Sequence, residues 1–271
     1  MIDIRRQPGR WAPALAVAGT LLLAGCASPD ALLSDAMGSG TGVTASDPSR
    51  LTHSGFLSDY ARLKPVSWSD GIQCWREPNL DARKYDRGLI ARMTVMLKPA
   101  QQQGIDPTDL KTLTDYFYRS LSKALKPQMQ VVDRADANTI VMRIALTDLV
   151  PTKVAESVAG TAIPYAFVAE AGSGVATGRP PGSTPYLGET GMEMQLRDGG
   201  SGRVIAECRD TQIGRKYAAD IDAGAVGAAQ TWASGYLNSF QSWSYAKNAF
   251  DKWSALTAQR FAALRGVGPQ G

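Results

Sequence analysis

The chain has 271 residues, 44% of them hydrophobic, and a formal charge of +4 from 29 basic and 25 acidic side chains. The basic residues are scattered, with no Lys/Arg-rich run and no basic stripe interleaved with aromatics, which excludes a nucleic-acid partner. One histidine, His53, and three cysteines exclude a His-His or His-Cys metal cluster, so no metal and no cofactor is expected.

Arg5, Arg6 and Arg10 precede an apolar stretch at 11–23, which is too short to span a bilayer. The stretch closes on Leu23-Ala24-Gly25-Cys26, the pattern of a bacterial lipobox. Small residues before the cut admit a peptidase, and the Cys26 thiol carries the lipid. Residues 1–25 are therefore expected to be a lipoprotein signal peptide, and acyl chains on Cys26 make the membrane the first partner. Ala27 rather than Asp after the cysteine favours the periplasmic face of the outer membrane. Removing 25 residues from 271 leaves 246, and the charge falls to +2 because three arginines and one aspartate leave with the leader.

Residues 26–52 are rich in Ser, Gly, Ala, Thr and Asp, a composition that predicts a flexible tether. A single α+β domain is expected over 53–265, followed by a disordered tail at 266–271. A stretch with Trp68, Trp75 and Pro78 reads as loop. Leu89, Ala91, Met93, Val95 and Leu97 alternate, predicting one strand over 88–97. Asp106 and Pro107 then open a helix whose apolar stripe is Leu110, Leu113, Phe117, Leu121 and Leu125, with Pro127 as its stop. Val131 and Val132 suggest a short strand, and 139–150 a longer one. Alternation at 192–197 and 204–208 around Asp198-Gly199-Gly200-Ser201-Gly202 predicts a β-hairpin. Trp232, Tyr236, Phe240, Trp243, Phe250, Trp253, Leu256, Phe261 and Leu264 recur at helical steps, so a long C-terminal helix is expected to pack with the central helix on a small mixed or antiparallel sheet.

Chemistry is sparse. Cys74 and Cys208 form an even pair once Cys26 is committed to lipid; they are a candidate disulfide, the alternative being two free thiols with Cys208 in the core. His53 next to Ser54 lacks a nucleophile elbow and reads as a surface histidine. Asp133, Asp136 and Asp148 cluster around the long strand and Glu193 follows on the hairpin; an acid–base enzyme would need two of them to share a cleft. No catalytic residue is assigned. The segment 154–187 is rich in Gly, Ala, Ser and Pro, with an uncharged run at 157–169. It is expected either to drape over the domain as a crossover or to contact a membrane or another copy.

Several blocks resemble the bacterial lipoproteins catalogued as domain of unknown function 3313: SGFLSDYARL at 54–63, LKTLTDYF at 110–117, RIALTDLVPTK at 143–153, the hairpin around Asp198, and AKNAF at 246–250 through Trp253. The hairpin departs slightly from the family's Asp-Ser-x-Thr-Gly, which leaves the turn intact. The resemblance implies an exported lipoprotein and transfers no catalytic residues. The order of elements is also similar to the curli secretion channel subunit, an analogy at fold level only. The leading expectation is a non-enzymatic, lipid-anchored interaction module whose partners include envelope proteins. An oligomeric pore or secretion accessory using 154–187 is the alternative, and an envelope hydrolase comes last.

Overall fold

The computed structural model describes residues 42–155, 176–180, 183–184, 186–214 and 242–266. Cys26 and the signal segment lie outside them, as do residues 156–175 and 267–271. Among the described residues the strands are β1 (Val43–Ala45), β2 (Lys64–Pro65), β3 (Gln73–Arg76), β4 (Arg87–Ile90), β5 (Thr94–Val95), β6 (Gln130–Val131), β7 (Thr139–Val150), β8 (Glu189–Asp198) and β9 (Val204–Gly214). The long helices are α1 (Pro107–Leu125) and α2 (Ser244–Leu264). The strands make one mixed sheet in the order β2-β3-β9-β8-β7-β4-β6, with β1 on β9 and β5 on β7. The fold is α+β, and its sheet is larger than the sequence pattern suggests.

At the centre, β7, β8 and β9 run antiparallel. Ile140, Met142, Ile144 and Leu146 alternate along β7 and are buried, as period-two patterning requires. Asp198 closes the β8–β9 turn by accepting from the Ser201 backbone N–H at 2.7 Å and its hydroxyl at 2.8 Å. Gly202 follows at φ +70°, a conformation open to glycine.

Asp106 starts α1 by accepting from the Thr108 backbone N–H at 2.7 Å, and Pro107 loses no helical hydrogen bond in the first turn. Leu113, Phe117, Leu121 and Leu125 turn inward on one stripe. Phe117 stacks on Phe250 of α2 with ring centroids 4.5 Å apart, so both helices share one face of the sheet and one core.

Three expectations are corrected. The tether does not run to residue 52: β1 pairs with β9 (Val43↔Gly214 to Ala45↔Gln212), and Asp47 caps a 3-10 turn at Pro48–Arg50. Three short residues on a sheet edge carry too little pattern to announce a strand. The stretch around Trp75 is not loop, because β3 pairs with β9 and β2 with β3. The predicted strand at 88–97 is two short strands, β4 and β5, both parallel to β7. Gly88 and Ile90 are buried in β4, so the inward face there is opposite to the predicted one.

The C-terminal helix begins at Ser244; Trp232, Tyr236 and Phe240 lie outside the described residues.

Candidate functional site

The sheet face away from the helices carries buried carboxylates, and each is closed by residues 50–62 lying across it. Glu193 accepts from the Ser54 hydroxyl at 2.5 Å, the Ser54 backbone N–H at 3.1 Å and the Tyr60 hydroxyl at 2.8 Å. Glu207 accepts from the Ser58 backbone N–H at 2.7 Å, from Arg62 at 2.7 Å and from Gln195 at 2.6 Å. Burial pushes the Glu207 carboxyl up, but these hydrogen bonds outweigh burial and hold it below its ordinary value. Asp148 accepts from the Thr52 hydroxyl at 2.5 Å, and Glu189 pairs with Arg50 at 2.8 Å and Arg179 at 3.4 Å. Gly191 makes room for Asp148: a Cβ there would sit 2.6 Å from its Oδ2. A run of latches thus fastens the N-terminal strap to the sheet.

Of the four carboxylates singled out in the sequence, no two converge. Asp133 is exposed, and Asp136 holds the turn before β7, accepting from Thr139 and Arg87. Asp148 sits near the other end of β7, and Glu193 lies beneath Ser54 and Tyr60. Asp148 does line a polar cleft of about 560 Å³ with Glu189, Arg50, His53 and Lys98. His53 is exposed and stacks on Tyr60 with centroids 3.5 Å apart, while the Ser54 hydroxyl is committed to Glu193. Among the described residues, no three His, Cys, Asp or Glu side chains gather to hold a metal ion.

On the helix side, one carboxyl group is deeply buried. Asp210 of β9 accepts from Trp253 Nε1 at 2.7 Å and Gln212 at 2.6 Å, both at Oδ2, while Oδ1 has no hydrogen-bond partner. Burial drives its carboxyl up. Lys252 is also largely buried, which pushes its ammonium down, and it reaches the same network by donating to Gln212 at 3.0 Å.

Beside this network, α2 and the sheet enclose a mostly apolar cavity of about 260 Å³. Ile72, Met194, Leu256 and Phe261 wall it, and Cys74 and Cys208 line it as well. These two cysteines, direct partners across β3 and β9 with Cα atoms 4.1 Å apart, are joined in a disulfide. Arg76 and Arg260 complete the lining, and neither makes an ion pair among the described residues. The Arg260 guanidinium lies 5.4 Å from the Trp68 ring centroid; burial, then the neighbouring Arg76 charge, lowers its pKa. A preformed apolar hollow with convergent polar groups is the usual form of a small-molecule site.

A family model described as "Protein of unknown function (DUF3313)" matches residues 52–257. The chain belongs to the DUF3313 family. No curated protein matches it. Solved structures overlap it loosely. The PelC dodecamer from Paraburkholderia phytofirmans is 11% identical, with TM-score 0.30 over 63% of this chain and 98% of that one. A DUF4136 family protein from Bacteroides thetaiotaomicron is 8% identical, with TM-score 0.25 over 63% and 96%. A DUF330 protein from Xanthomonas campestris is 12% identical, with TM-score 0.24 over 66% and 94%.

The DUF3313 match spans the strap from Thr52, the disulfide and Arg76, and stops short of Arg260 and Phe261. Sequence reasoning named Cys74 and Cys208 but missed Arg76, Arg260 and Asp210, whose significance depends on what surrounds them. Most of 154–187 lies outside the described residues; at its described end Ser183 and Leu187 are buried, and the Ser183 hydroxyl donates to the Gly214 carbonyl at 2.7 Å. No helix of the described residues is long and apolar enough to cross a membrane.

Proposed function

We propose that this DUF3313 protein is a lipid-anchored, non-enzymatic binding module of the bacterial envelope, held at the periplasmic face of the outer membrane by acyl chains on Cys26. The observation that carries the binding half is the apolar cavity walled by the disulfide; the lipobox in the sequence supports the anchor. The latched strap adds a constraint of distance. Sixteen residues, 27–42, separate Cys26 from Val43 at the start of β1, and that length can span at most about 55 Å fully extended. A tether reaching residue 52 would allow considerably more. The domain would therefore work close to the bilayer surface.

Anchoring by more than one acyl chain is effectively permanent, since each buried methylene contributes about 0.8 kcal/mol. Cys26→Ser is expected to yield an unprocessed or soluble chain, read by membrane fractionation and by mass spectrometry of the mature N-terminus. A substituted chain still cut after Gly25 and still sedimenting with membranes would overturn the anchoring.

A further inference from the structure

The apolar cavity has a chemistry more specific than its volume. Its walls come from three places: the loop and strand around Ile72 and Cys74, the β8–β9 face, and the C-terminal half of α2. Both outer walls are fixed. The disulfide ties β3 to β9, and Trp253 ties α2 to Asp210 at 2.7 Å.

Two arginines line this hollow, and no carboxylate among the described residues pairs with either. Arg260 is half-buried against Trp68, whereas Arg76 is exposed. Two like charges lining one hollow without a counter-ion repel, and an anion bound there relieves the repulsion. Guanidinium groups match carboxylates through paired N–H donors.

We propose that the cavity binds a fatty acid, its hydrocarbon chain lying between α2 and the sheet and its carboxylate held by Arg76 and Arg260. The inference rests on the binding-module reading and names its ligand. It does not depend on the Cys26 anchor.

The test uses residues 26–271 carrying Cys26→Ser, which has no acyl anchor, so its outcome is independent of whether Cys26 is lipidated. Dodecanoate serves as the probe, titrated by calorimetry, with dodecanol and dodecyltrimethylammonium as competitors. Saturable one-to-one binding of dodecanoate is expected, with the neutral and cationic chains displacing it only at concentrations about ten-fold or more higher. Arg76→Gln with Arg260→Gln is expected to weaken the probe by a similar factor while circular dichroism and the melting curve stay unchanged. Ala206→Phe, which fills the cavity from β9, should block the probe altogether. Absence of saturable binding would overturn the proposal, as would equal displacement by dodecanol or full binding by the folded arginine pair variant. Should Ala206→Phe fail to fold, the arginine variant and the competitor series decide the matter alone.

Discussion

Asp210 shows how a single residue can work against the fold that holds it. The carboxyl is almost completely buried, and burial raises its pKa above the unfolded value of about 3.9. Its protonated form is therefore favoured in the folded chain. As pH rises above about 4, the unfolded chain ionises more readily than the folded one, and stability is lost until the folded pKa is passed. The Trp253 N–H opposes that loss, because it stabilises the ionised carboxylate. Trp253→Phe is expected to destabilise by about 1 to 3 kcal/mol through the missing donor, beyond a pH-independent packing loss. The donor's share should be small while the folded carboxyl is protonated and grow as pH rises through its titration. Urea unfolding of both proteins across a pH series upward from about 4 checks this; a difference that stays constant over the whole series would show that the hydrogen bond does not serve the charged form. Glu207 behaves oppositely, since hydrogen bonds from Gln195 and from Ser58 and Arg62 of the strap outweigh its burial and hold its carboxyl low.

Among the elements, α1 was the most legible in sequence. A cap, a proline in the first turn and an apolar stripe at helical spacing all point to one assignment, and local agreement of that kind survives in the tertiary structure. β7 and the β8–β9 hairpin were legible for the same reason, with alternation long enough to outweigh chance. β1, β2 and β3 were not, because two to four residues hold no period, and β9, the partner of β1 and β3, lies more than a hundred positions away. The helices are held to one another through Phe117, Phe250 and Trp253. Phe117, fully buried at this junction, is expected to cost about 3 to 5 kcal/mol when replaced by Ala. In a domain of this size each kcal/mol lowers the melting temperature by roughly 2 to 4 °C. A calorimetric shift under a few degrees would mean that the helix pair contributes little to stability.

On the scale of the whole molecule, the disulfide links β3 to β9 across 134 residues. In the chain-entropy model a loop of that length is worth about 5 kcal/mol, through the freedom removed from the unfolded chain. Cys74→Ser with Cys208→Ser is accordingly expected to lower the urea midpoint without changing the native far-ultraviolet spectrum, and reductant should do the same to the natural chain while leaving the variant unaffected. Equal midpoints for the natural chain with and without reductant would show that the bond is not formed or adds nothing. Loss of the bond should also loosen the cavity wall at Cys74. The strap latches act at the same scale: Arg50, Thr52, Ser54, Ser58 and Arg62 each reach a buried carboxylate or its neighbour.

The sequence alone determined the central helix, the long strand and the hairpin, because each is written in contiguous residues whose spacing has a direct physical meaning. Only the tertiary structure decided that Cys74 meets Cys208, that Asp148 and Glu193 are covered by the strap, and that Arg76 and Arg260 line one apolar hollow. These arrangements depend on which distant strands become neighbours. Strand partners are chosen by burial of the whole sheet, and no local pattern of side chains encodes that choice.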